Sequence, residues 1–128
     1  MAKKAITSPK SKPIGPYSAA IESGDHVFIS GQIPLDAATG KLVDGDISAQ
    51  ARQSMENLKA LLEAAGLTFA HVVKTTIFLT TMSDFAAVNE VYKAYVNEPY
   101  PARSTIAVAG LPMGAKVEIE MTASRSAM

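Results

Sequence analysis

No cysteine and no tryptophan occur among the 128 residues, which excludes disulfides and thiolate chemistry and fits a reducing compartment. An excess of one charge is missing too. Twelve Lys and Arg balance twelve Asp and Glu, so no global field draws the chain to nucleic acid or to an anionic membrane. No apolar run approaches the ~20 residues of a membrane span, and Met1-Ala2-Lys3-Lys4-Ala5-Ile6 lacks the apolar core of a secretory signal. A cytoplasmic protein with no membrane partner is expected. Histidine is scarce: His26 and His71 lie far apart with no metal-ligand spacing around them, so no metal site is expected. Neither a Gly-rich phosphate loop nor a nucleophile elbow is present.

What is there suits one globular domain over 1–128, since 48% hydrophobic and 19% charged residues at this length can bury a self-sufficient core. Residues 1–16, with Pro9, Pro13 and Pro16, read as an irregular arm, and its four lysines (Lys3, Lys4, Lys10, Lys12) as a solvated tail. Ser18 to Glu22 and His26 to Ser30 read as strands joined through Ser23-Gly24-Asp25. Gly31 to Gly45 reads as a loop. Asp46 is placed to cap a helix whose apolar positions are Ile47, Ala51, Met55, Leu58, Leu62 and Ala65, with Gly66 as its stop. Val72 to Thr81 is β-branched and apolar, a central strand. Ser83 is placed to cap a second helix carrying Phe85, Val88, Tyr92 and Tyr95, which Pro99 and Pro101 end.

Two further strands carry charges that need a reason. Side chains alternate along a strand, so Ile106 and Val108 share one side and Arg103 and Thr105 the other; Val117, Ile119 and Met121 likewise oppose Glu118 and Glu120. If both aliphatic faces press on one core, Arg103, Thr105, Glu118 and Glu120 line the opposite surface of the sheet. The resulting fold is α+β, one mixed sheet with two helices packed on one face. Its other face would carry His26, Phe28, Lys74, Thr76 and Phe78 beside those charges, too apolar to stay wet, and a homo-oligomer with sites between subunits is expected.

Ile14-Gly15-Pro16-Tyr17-Ser18, Ser30-Gly31-Gln32-Ile33-Pro34, Gln50-Ala51-Arg52-Gln53, Phe85-Ala86-Ala87-Val88-Asn89, Pro101-Ala102-Arg103-Ser104 and Val117-Glu118-Ile119-Glu120 together resemble the RidA (YjgF) family of reactive-intermediate enamine/imine deaminases. The match covers nearly the whole chain. It implies a chorismate-mutase-like fold, a homotrimer with interfacial sites, and hydrolysis of 2-iminobutanoate and 2-iminopropanoate to 2-oxo acids and ammonia, without a cofactor.

Arg103 has the planar fork that grips a substrate carboxylate; the alternative is an ion pair with Glu118 or Glu120. The resemblance gives Glu118 the task of positioning water and moving a proton, and leaves Glu120 to structural pairing. Tyr17 is placed to cover the site, or else simply packs. Ser30 and Gly31 offer main-chain groups at a strand end. Asn89, beside Phe85 and Tyr92 on the second helix, reaches the site or braces a loop. Thr105 stands where many relatives have cysteine, so thiol-dependent behaviour does not carry over, although its hydroxyl can still bond a ligand. Two other readings stand beside the deaminase: a ribonuclease or translation inhibitor, and a non-catalytic small-ligand sensor or holdase.

Overall fold

The computed structural model describes residues 2–127. Helix α1 (Ile47–Ala64) begins where the sequence places it: the Asp46 carboxylate accepts the Ala49 N–H at 2.9 Å. It ends at Ala65 and Gly66, where Gly66 takes φ +78° and the Leu67 N–H turns back to the Leu62 carbonyl. Ala51, Met55, Leu58, Leu61 and Leu62 form its buried stripe. Helix α2 (Phe85–Lys93) starts differently from expectation. Thr81, not Ser83, is the cap; its hydroxyl oxygen accepts the Ser83 N–H and closes a single 3-10 turn (Met82–Asp84) that feeds straight into α2. With Ser83 inside that turn, its own hydroxyl is taken up by Thr81. Tyr95 lies beyond α2, where it packs edge-on to Phe69 and donates to Glu56 at 2.8 Å. Burial first, and then that hydrogen bond, push its phenol up to about 12.

The main sheet runs β1 (Lys4–Ile6), β2 (Ala20–Ser23), β3 (His26–Gln32), β8 (Val117–Ser124), β6 (Val72–Leu79), β7 (Ala102–Ala107) in spatial order. It is mixed: β6 and β7 are parallel and joined through α2, while the other neighbours are antiparallel. Two stretches are more ordered than their sequence suggests. The arm contributes β1, with Ile6 in the core; a three-residue strand with one inward side chain is too short to show alternation. Residues 31–45 hold a small ladder, β4 (Leu35–Asp36) against β5 (Lys41–Leu42), closed by backbone hydrogen bonds to Asp36.

Both helices lie on one face of the sheet, over Val27, Ile29, Ile77, Leu79, Val117, Ile119 and Met121. Register then decides which face each candidate occupies. Phe78 sits opposite both Ile106 and Glu118, and Thr76 opposite Glu120, so these share the open face with Phe28 and Lys74. Ile77, however, sits opposite both Thr105 and Ile119, and Thr75 opposite Arg103. Arg103 and Thr105 therefore face the helices, and the expected single surface holding Arg103, Thr105, Glu118 and Glu120 is not formed within one chain. The sequence argument assumed Ile106 inward. At the edge strand β7, the space beside α2 takes the long guanidinium stem instead, and Ile106 turns outward, 46% exposed.

Candidate functional site

On the open-face side, a cleft of about 390 Å³ lies between the arm, the end of β3 and β8, and its walls include Lys10, Lys12, Tyr17, Ser30, Gly31, Glu118 and Glu120. A bulge builds it: pairing of β3 with β8 shifts between Ile29 and Gln32, which lifts Ser30 and Gly31 out of the ladder. Ser30 is held from behind. Its N–H donates to the Ala19 carbonyl at 2.9 Å and its hydroxyl to the Ser18 carbonyl at 2.7 Å. Gly31 has a more particular reason to be glycine than turning the chain. A Cβ there would fall within the Glu118 carboxylate, 2.7 Å from Cδ and 2.9 Å from Cγ. Absence of a side chain lets Glu118 lie flat on the main chain.

That position leaves Glu118 half-buried, and burial pushes its carboxyl above the usual range, with Glu120 adding a smaller push. Among the described residues neither acid forms an ion pair, so the structural pairing expected of Glu120 is not made within the chain. Tyr17 is 47% exposed at the rim, its hydroxyl accepting the Ile14 N–H at 3.3 Å. Gln32 went unnoticed in the sequence as a site residue, yet its buried side chain links the arm to the bulge: Oε1 accepts from the Ser11 hydroxyl, and Nε2 donates to the Ser30 carbonyl at 3.0 Å. Only the contact reveals it, because a Gln at a strand end looks like any polar terminus.

Across the sheet, Arg103 is gripped by α2. Its Nη1 donates to the Asn89 Oδ1 at 2.7 Å, and its Cζ lies 4.9 Å from the Tyr92 ring centroid and 5.7 Å from that of Phe85. Tyr92 is itself fixed, its hydroxyl 2.9 Å from the Thr75 Oγ1 in the core. Phe85, Asn89 and Tyr92 follow the helical i, i+4, i+7 spacing, so one helix face positions one guanidinium. Thr105 lines the same crevice with its hydroxyl oxygen buried and unpartnered among the described residues. Seven predicted residues thus separate into two groups: Tyr17, Ser30, Gly31 and Glu118 at the cleft, and Arg103, Asn89 and Thr105 beneath α2. His26, on the open face, stacks against Phe28, and His71 closes a one-turn capping box with Thr68. No group of three His, Cys, Asp or Glu among the described residues could hold a metal ion.

Fold and cleft together define a small α+β protein with a pocket of small-molecule size, lined by two acids and two lysines, on the sheet side left open by its helices. The chain belongs to the endoribonuclease L-PSP family, whose profile matches residues 7–125, the family that includes the RidA proteins. It is 56% identical over 126 residues to the protein DfrA of Myxococcus xanthus, covering 96% of each chain. With the 2-iminobutanoate/2-iminopropanoate deaminase of Salmonella typhimurium it shares 48% identity over 128 residues, covering 98% of this chain and 99% of that one. Among solved structures it is similar to TdcF of E. coli with bound serine, at a TM-score of 0.90 and 45% identity, covering 96% of this chain and 99% of that one.

Proposed function

We propose that this chain is a cytoplasmic 2-iminobutanoate/2-iminopropanoate deaminase, acting as a homotrimer in which each site is shared between two copies. One copy supplies the cleft with Glu118, Tyr17, Ser30 and Gly31; its neighbour supplies Arg103, with Asn89 and Thr105 behind it. The observation that carries the reading is Glu118: a half-buried carboxylate laid on a glycine, in no ion pair among the described residues, is poised to take a proton and give it back. Deaminase-named relatives and a family structure with bound serine support a small amino-acid-like ligand. Sharing accounts for the opposed faces of Arg103 and Glu118, and gives the exposed Phe28 and Ile106 a packing partner.

The chemistry balances on these groups alone. The Arg103 fork holds the substrate carboxylate. Glu118 accepts a proton from water as the water oxygen bonds to the imine carbon, and returns it to nitrogen. The hydroxyl proton then passes to nitrogen through the same carboxylate, the C–N bond breaks, and ammonia leaves as the 2-oxo acid forms. With a dehydratase supplying 2-aminoacrylate from serine, pyruvate and ammonia should appear faster with the protein than in buffer; equal rates would transfer the cleft to the sensor or holdase reading. The family's description favours a ribonuclease as the second reading. RNA cleavage by wild type that vanishes in Glu118→Gln would establish that reading instead.

Gly31→Ala tests the placement of the carboxylate. The new methyl group displaces a flexible side-chain end more readily than it disturbs main chain, so the fold should persist while kcat falls about tenfold or more as the proton carrier leaves its position. Steady-state kinetics beside circular dichroism would check this, and wild-type kcat in a folded Gly31→Ala protein would refute it.

A further inference from the structure

The arm brings two cations to the cleft, and it holds them there. Ser11 is 7% exposed and its hydroxyl bonds Gln32, which is 8% exposed and tied in turn to the Ser30 carbonyl. A tight turn precedes it: the Ser11 N–H returns to the Ser8 carbonyl at 3.1 Å and the Lys10 N–H to the Ser8 hydroxyl at 3.2 Å. Before that, Ile6 is buried and β1 is paired with β2. Lys10 and Lys12 thus flank a buried anchor and both line the cleft that holds Glu118 and Glu120, unlike the solvated tail the sequence suggests. Arg103 of a neighbouring copy already accounts for one substrate carboxylate in the reading above, and neither lysine has a part in it.

We propose that Lys10 and Lys12 form a subsite for a second carboxylate, on the substrate's side chain, so that the cleft accepts 2-imino dicarboxylates, the imines formed by two-electron oxidation of acidic amino acids. This rests on the cleft being a 2-imino acid site. Both lysines are needed, because Glu120 in the same cleft repels the anion they attract. Both lysines are exposed residues, so the attraction is screened by salt.

The test compares 2-iminosuccinate, supplied by an aspartate oxidase, with 2-iminopropanoate, for wild type and for the Lys10→Ala/Lys12→Ala protein at low and high ionic strength. Wild type should hydrolyse both, and the ratio of kcat/KM for the dicarboxylate over the monocarboxylate should fall roughly tenfold in the double variant and shrink in salt. An unchanged ratio, or turnover of 2-iminopropanoate by wild type without turnover of 2-iminosuccinate, overturns the subsite. Calorimetric binding of 2-oxoglutarate against 2-oxobutanoate gives a readout without turnover. Wild type should favour 2-oxoglutarate, and Lys10→Glu/Lys12→Glu should reverse the order. If neither imine is hydrolysed, the deaminase reading fails by itself, and the binding comparison still decides the subsite: no preference for 2-oxoglutarate, or one that survives charge reversal, overturns it.

Discussion

Glu118→Gln should leave a folded protein that hydrolyses 2-iminopropanoate about a hundredfold to ten-thousandfold more slowly, the range that a positioned acid–base group contributes. KM should change little, because the amide keeps the shape and loses only the capacity to carry a proton. In wild type, kcat/KM should decline toward acid with a midpoint above the ordinary carboxylate value of 4.5, since burial and Glu120 both hold the proton on Glu118. The same shift links activity to stability. A folded-state value raised above the unfolded one means that the folded chain keeps its proton to higher pH; the associated stability is complete below about 4.5 and lost as pH rises through the raised value. Gln makes no such loss. The variant should therefore melt above wild type near neutral pH, and the gap should close in acid. A Glu118→Gln protein that melts below wild type at neutral pH, or retains wild-type kcat, would remove Glu118 from the proposed role.

The second large effect comes from mixing. Arg103→Ala should abolish activity by leaving the substrate carboxylate unheld, and Glu118→Gln should nearly abolish it for the reason above. Equal amounts of the two, allowed to exchange subunits, should recover about a quarter of wild-type activity, because in a closed ring each site needs the right member on each of its two sides. Tyr17→Phe, if it inactivates, should complement Arg103→Ala in the same way and fail to complement Glu118→Gln, since Tyr17 and Glu118 line one cleft. Light scattering supplies the control. A fully active monomer, or mixtures as inactive as their parents after proven exchange, would refute the shared site.

Most of the fold was legible because most of it is periodic. Helix α1 shows its cap, stripe and stop in the bare sequence, and β6 and β8 alternate or run apolar as strands buried beneath helices do. What was illegible depends on neighbours. Nothing local says whether Ile106 or Arg103 turns inward at an edge strand; that is decided by the crevice that Phe85 and Tyr92 of α2 open for the guanidinium. Glu118 was visible as an odd charge on an apolar strand, but its contact with Gly31 joins positions far apart in sequence. Ser11 and Gln32 were invisible for the same reason, and with them the fact that the lysine-rich arm is pinned. The family resemblance picked out these residues as a set without revealing that one chain keeps them on two faces.

Opposed placement of Arg103 and Glu118 has a consequence for the protein at low abundance. If each site needs two copies, catalysis follows mass action: specific activity should be constant while subunits are associated and collapse on dilution below their dissociation constant, with every protomer still folded. A cell expressing little of the chain would then have disproportionately little catalysis, and doubling a scarce supply would more than double the output. The sheet that separates the two groups would make gene dosage a nonlinear control on the reaction.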